Sequence, residues 1–158
     1  MYRFCKYLHL IGLTLFLGSI FGHIVAGALA GAPGDSAFLA ARAQIVAATR
    51  LLTLPGLGLL IASGAVMLIS ARTSPLQIGW LGAHVAGAAL ILVNTAAFVV
   101  PAGARALALA KAGEYGEALT RAILAEDGFG AANVALALAL IALGLYKPAL
   151  FRRRGAAA

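Results

Sequence analysis

The sequence predicts an all-α integral membrane protein, an up-down bundle of four helices, and three observations carry that expectation. Of 158 residues, 63% are apolar and only 11% are charged, with a mean hydropathy of +0.99. Soluble domains run near half apolar and a quarter charged, so the residues needed for a water-facing surface are missing and lipid must be the main solvent. At about 20 apolar residues per crossing plus short connections, the length holds about four crossings within one domain, residues 1–158. The twelve Lys and Arg residues, finally, divide unevenly between the two ends of the expected helices.

The first span covers about residues 7–31. Arg3 and Lys6 followed by an apolar run imitate a secretory signal, but the run exceeds the roughly 7 to 15 residues of a signal core and reads as a retained helix. Ala32-Pro33-Gly34-Asp35-Ser36 closes it with breakers and a candidate N-cap for the next helix. The second span, about 51–70, follows a helix-compatible stretch carrying Arg42, Gln44 and Arg50, so residues 37–71 read as one long helix whose first third stands outside the hydrocarbon. Arg72-Thr73-Ser74-Pro75 is a tight turn.

The third span, about 77–100, continues past Pro101 to Ala112 because the sequence there is rich in alanine and leucine, and Pro101 should kink it. Gly113-Glu114-Tyr115-Gly116 is a hairpin turn. Residues 117–127 lead into the fourth span, about 128–147, which Pro148 and Arg152-Arg153-Arg154 end. Helices 2 to 4 should therefore extend beyond the membrane on one side.

Arg3, Lys6, Arg72, Lys147 and Arg152 to Arg154 fall on one side of the membrane. Arg42, Arg50, Arg105, Lys111 and Arg121 fall on the other, together with all the acids: Asp35, Glu114, Glu117, Glu126 and Asp127. The first side keeps the whole positive excess and is cytoplasmic, which puts both termini inside and the chain in a bacterial inner membrane. On the outer side the charges should form a solvated ion-pair layer. Nucleic-acid binding is excluded as a reading of the net charge of +7, because the basic residues are scattered among apolar spans and no groove-reading motif accompanies them. Cys5 is a lone thiol with no disulfide partner.

Polar groups inside the spans are the candidates for chemistry, since each is costly in hydrocarbon without a partner. His9 and His84 lie at matching depth near the cytoplasmic ends of the first and third spans, which are diagonal in an up-down bundle. With adjacent axes about 8 to 10 Å apart, the diagonal of about 11 to 14 Å admits a flat macrocycle held by an imidazole from each side, which suits a b-type haem. Met67, at comparable depth in the second span, is an alternative ligand, and otherwise a packing residue. Arg50 is a candidate for a propionate or anionic substrate if it points inward, and otherwise part of the outer charged layer. His23 lies about 21 Å further along the His9 helix without a histidine left to pair with, so it hydrogen-bonds a backbone carbonyl or finds a partner across a dimer axis. Asn94 and Asn133 read as interhelical hydrogen-bond partners, and Trp80 as an interfacial aromatic. The pairs Gly18/Gly22 and Gly27/Gly31 allow close helix approach, chiefly within the bundle and alternatively between protomers.

Lys6-Tyr7-Leu8-His9-Leu10-Ile11-Gly12 followed by Phe16-Leu17-Gly18-Ser19 resembles the opening helix of a bacterial membrane-protein group. That group includes HemJ-type protoporphyrinogen IX oxidases, CopD-type copper-resistance proteins and further relatives. Gly79-Trp80-Leu81, and Arg50 with Pro55 and Gly64, also look like it. The resemblance covers the first three spans and implies a haem-ligand role for His9. It departs in the third span, where the group tends to carry a lysine at the position of His84 and where Gly82 occupies the HemJ-type histidine slot. The departure weakens protoporphyrinogen oxidation as the activity, and one cysteine with two methionines is a poor soft-ligand set for copper.

The expectation is thus a membrane protein that binds haem b between His9 and His84 and moves electrons, in the manner of a membrane oxidoreductase, with a quinone, a porphyrinogen or another membrane enzyme as redox partner. The alternative is a cofactor-free accessory subunit that packs through its glycine-rich first helix, as a homodimer or against a membrane partner. A small-molecule transporter is weaker, because broken-helix repeats and acidic ion sites are missing.

Overall fold

A computed structural model describes residues 2–72, 75 and 78–148. Four long helices account for almost all of them: α1 (Tyr2–Ala28), α2 (Ser36–Ser70), α3 (Gly79–Ala112) and α4 (Glu117–Tyr146). At 1.5 Å per residue, the 35 residues of α2 and 34 of α3 run to about 50 Å each, well beyond a hydrocarbon core of about 30 Å. Large apolar side chains such as Phe4, Leu10, Leu51, Ile69 and Leu145 are exposed along the outside of the helices. That is the pattern of a bundle solvated by lipid, and the chain is a multi-pass membrane protein of four helices. Thr73 and Ser74 of the expected turn, and the Arg152 to Arg154 run, lie outside the described residues.

The near end of the bundle holds Tyr2 and Tyr146; the far end holds the two turns at Gly31 and Gly113. Gly31 and Gly34 adopt positive φ (73° and 105°), which the sharp α1–α2 reversal requires. Asp35 takes the N-cap position of α2, but its carboxylate turns back to accept the Ala32 N–H at 3.1 Å. At the second turn, where the sequence placed a hairpin turn, Gly113 is the left-handed C-cap of α3 (φ 74°).

Both long helices absorb a proline by the same device. Pro55 and Pro101 offer no N–H to the turn before them. In α2 the residues Thr49–Thr53, and in α3 Thr95–Val99, form a π-turn in which Leu54 N–H bonds the Thr49 carbonyl and Val100 N–H bonds the Thr95 carbonyl. The helix continues past Pro101 to Ala112, as expected, with a π-turn just ahead of the proline. The widened turns leave Thr49, Thr53, Thr95 and Val99 buried.

Two apolar clusters form the core. Phe16, Ile20, Leu57, Ile91 and Ala137 fill the middle, and Ala30, Phe38, Ala41, Ala106, Ala110, Leu119 and Ala122 fill the far end. α1 packs closely along the near half of α2, where Gly12 and Gly56 face one another. A Cβ on Gly12 would lie 2.9 Å from the Gly56 carbonyl oxygen. The glycines expected to do this are elsewhere: Gly18, Gly22 and Gly27 have nothing within 4 Å of a built Cβ, so they do not serve packing within the bundle. α3 packs on α4, and α2 meets α3 along their far halves; the near halves of α2 and α3 touch little, as do α1 and α4. The bundle therefore behaves as two hairpins, α1–α2 and α3–α4, joined at the far end.

Candidate functional site

The two hairpins carry the same stations in the same order. On the odd helices, His9, Gly12, Phe16 and Ser19 match His84, Gly87, Ile91 and Asn94 at identical spacing. On the even helices, Thr53, Leu57, Leu60 and Gly64 match Asn133, Ala137, Leu140 and Gly144. Each station does the same work in its own hairpin. Ser19 lies 2.6 Å from Thr53 Oγ1, and Asn94 donates to Asn133 Oδ1 at 2.8 Å. Phe16 and Leu57, like Ile91 and Ala137, are buried one turn closer to the near end of the bundle. A Cβ on Gly12 would press on Leu60, and one on Gly87 on Leu140. The ring of His9 lies against Gly64 and that of His84 against Gly144, with Cε1 at 3.6 and 3.8 Å from the built Cβ.

Because Ser19, Thr53, Asn94 and Asn133 form one polar level, the histidine depths can be measured from it. His9 is ten residues before Ser19 and His84 ten before Asn94, about 15 Å in each case, so the imidazoles stand at equal height near the near end. Both are half-buried, and each lies within electrostatic reach of the other. His9 Nδ1 is 3.0 Å from Ser63 Oγ, whose hydroxyl bonds the Leu59 carbonyl. His84 Nδ1 is buried without a hydrogen-bond partner among the described residues, and the Leu140 backbone lies near the ring. Among the described residues neither Nε2 has a hydrogen-bond partner.

The other residues read as candidates are placed differently. Met67 is half-buried on α2, one turn from Ser63 toward the near end. Arg50 is exposed in the π-turn of α2 and does not face the interior; it stands thirteen residues, about 20 Å, from Ser63 and so cannot serve a group held at His9 and His84. The inward arginine is Arg42. It pairs with Glu126 at 2.8 Å, with side chains only 5% and 8% exposed. This corrects the expectation of a wholly solvated outer charge layer, which holds for Glu117–Arg121 (78% and 72% exposed) but not here. The reason is the length of the helices. The far-end core continues beyond the hydrocarbon and buries whatever lies on its inner face, and Gly103 on α3 leaves the space that the Glu126 carboxylate fills.

His23 does not reach a carbonyl; its Nε2 lies 3.3 Å from the Ser19 hydroxyl one turn earlier. Asn94 and Asn133 are interhelical partners, as expected, with Asn94 also donating to the Phe129 carbonyl and Asn133 to Thr95 Oγ1. Beyond this polar level, toward the far end, a cavity of about 450 Å³ opens between the helices, lined by His23, Arg42, Glu126 and Asp127 among mainly apolar side chains. The apolar layer of Phe16, Leu57, Ile91 and Ala137 separates it from the histidine pair.

Sequence reasoning missed the duplicated stations and the Arg42–Glu126 pair. The repeat was readable: His-x2-Gly occurs in both odd spans and Leu-x3-Gly in both even ones. The ion pair spans 84 residues and had no local signal.

Among the described residues no group of three or more His, Cys, Asp or Glu side chains could hold a metal ion. A bare ion would need about four protein ligands, whereas a macrocycle that brings its own four nitrogens needs only two. No curated protein and no solved structure matches the chain. A family model does, described as a predicted integral membrane protein (DUF2269) and spanning residues 3–148, and with nearly the whole four-helix bundle inside that match the chain belongs to this family.

Proposed function

We propose that this protein holds one b-type haem between His9 and His84 and carries electrons within the membrane. The observation that supports this reading is the duplicated station of an imidazole lying against a glycine, once in each hairpin and at one height, where the near halves of α2 and α3 separate. The donor set fits such a group. Ser63 holds His9 by Nδ1, the kind of second contact that fixes the tautomer of a ligating histidine and leaves Nε2 free for iron. The His84 ring lies near the backbone of Leu140, as the His9 ring lies near that of Leu60, the matching station. Gly64 and Gly144 keep side-chain bulk away from the rings, and the apolar layer above excludes water from the far cavity. When bound, the haem supplies reversible one-electron chemistry. The positive-inside distribution of Lys and Arg puts this end on the cytoplasmic side.

The absorption spectrum of the detergent-purified protein tests the reading. Sharp visible bands on reduction are expected, lost in His9→Ala and in His84→Ala and retained in Met67→Leu. A colourless preparation from haem-replete cells overturns it. One observation favours the second reading, an accessory subunit without cofactor: Gly18 and Gly22, one turn apart, form an open strip on α1 with nothing within 4 Å of a Cβ at either. The colourless result, together with a dimer or larger complex lost in Gly22→Leu, would establish that role instead.

A further inference from the structure

The far-end cavity is unused by the haem reading, and its chemistry is restrictive. Its volume, about 450 Å³, falls within the range of small-molecule sites, about 300 to 1,000 Å³. Four charged or titratable side chains line it. Arg42 is already neutralised by Glu126 at 2.8 Å, and Asp127 adds a further negative charge. Among the described residues no uncompensated cation faces the space, so a phosphate head group or a fatty-acid carboxylate would meet net repulsion. Thr53, Thr95 and Asn133 also line it but are engaged, Thr53 with Ser19 and Asn133 with Thr95, which leaves His23. Its Nε2 is anchored on the Ser19–Thr53 pair, and its Nδ1 has no protein partner among the described residues. With the Ser19 hydroxyl donating to Nε2 rather than to the Ala48 carbonyl, Nδ1 carries the proton of the neutral imidazole and offers one hydrogen bond to a neutral oxygen. The rest of the wall includes Ile20, Ile24, Ile45 and Val134.

Access is the second constraint. α1 and α4 both line the cavity and touch each other sparingly, so it communicates with the bilayer between these two helices rather than through the packed far-end core. A ligand would arrive from lipid, carry no charge, present oxygen acceptors on a compact head and tolerate an apolar tail left in the bilayer. We propose that the far-end cavity binds the head of a lipid-soluble quinone, with His23 hydrogen-bonding a ring oxygen and the tail leaving between α1 and α4. Redox use of that quinone rests on the haem reading, whereas occupancy of the cavity does not.

Gly130 provides the test, because it lines the cavity and a Cβ built there meets nothing within 4 Å. Gly130→Leu therefore fills the space without forcing the backbone, and replacing a mid-helix glycine favours the helix. Gly128→Leu is the matched control, since Gly128 is equally open but lies off the cavity. Binding of decylubiquinone to the purified full chain is measured by equilibrium dialysis in detergent, alongside the visible spectrum. Wild type and Gly128→Leu should bind alike. Gly130→Leu should weaken binding by about tenfold or more, through the steric cost of overpacking. His23→Leu should weaken it about threefold to tenfold, the worth of one hydrogen bond.

No quinone binding by wild type, or undiminished binding by Gly130→Leu, overturns the proposal. Displacement of decylubiquinone by tetraphenylphosphonium but not by a second quinone would overturn it in favour of an organic-cation site. A colourless protein that still binds quinone with this variant pattern removes the haem and keeps the cavity assignment; a pigmented protein that binds none does the reverse.

Discussion

Glu126→Leu separates a buried ion pair from a solvated one more sharply than any other single change. The carboxylate lies 2.8 Å from Arg42 and both side chains are at most 8% exposed. Removing it leaves a guanidinium enclosed by the far-end core with no partner, and breaking a buried pair in this way costs about 3 to 5 kcal/mol. For a chain of this size, where 1 kcal/mol is worth about 2 to 4 °C, the midpoint of thermal unfolding should fall by about 6 to 20 °C. Had the pair belonged to a solvated layer, the loss would be about 0 to 1 kcal/mol, and the midpoint would hardly move. The double variant Arg42→Leu/Glu126→Leu should recover most of the loss, because replacing both partners by apolar residues removes two desolvation penalties together. Circular dichroism or dye-based melting of the detergent-purified variants reads the effect. A drop of less than about 1 kcal/mol for Glu126→Leu, or a double variant no better than the single one, would refute the burial argument.

Gly12→Ala should destabilise by about 1 to 3 kcal/mol, because its Cβ would press on the Gly56 carbonyl and on Leu60, whereas Gly18→Ala, on the open strip of α1, should leave the melting point level or raise it slightly. Asn133→Leu should cost about 1 to 3 kcal/mol, since it strips the acceptor from Asn94 and the donor from Thr95 at once; a neutral result in the same melts would argue against the buried polar level. Ser63→Ala should keep the pigment of the proposed haem site but shift its midpoint potential or broaden its bands, as the His9 ring loses its fixed tautomer; a redox titration identical to wild type would remove Ser63 from that role.

Composition and periodic apolar runs were enough to read the membrane, the four helices, the Gly113 turn and the matching depth of His9 and His84, because these are local or one-dimensional properties. Hydrophobic length sets the crossings, and helix rise converts residue number into depth. The Asn94–Asn133 contact was legible for the same reason: each is a polar residue stranded in an apolar span and in need of a partner. What the sequence left open depended on azimuth, the direction in which a side chain leaves a helix.

Arg42 and Arg50 look equivalent along the chain, being eight residues apart on one helix. The π-turn at Thr49–Thr53 begins between them and changes the register, and only the assembled bundle shows Arg42 enclosed and Arg50 exposed. The same holds for the glycines. Gly12 and Gly18 are indistinguishable as letters, yet the position of α2 decides that one is a tight crossing and the other faces lipid. Depth was determined by the residues alone; which faces meet was decided by the packing of four helices against one another, because burial depends on neighbours that can lie as far apart in the chain as Arg42 and Glu126.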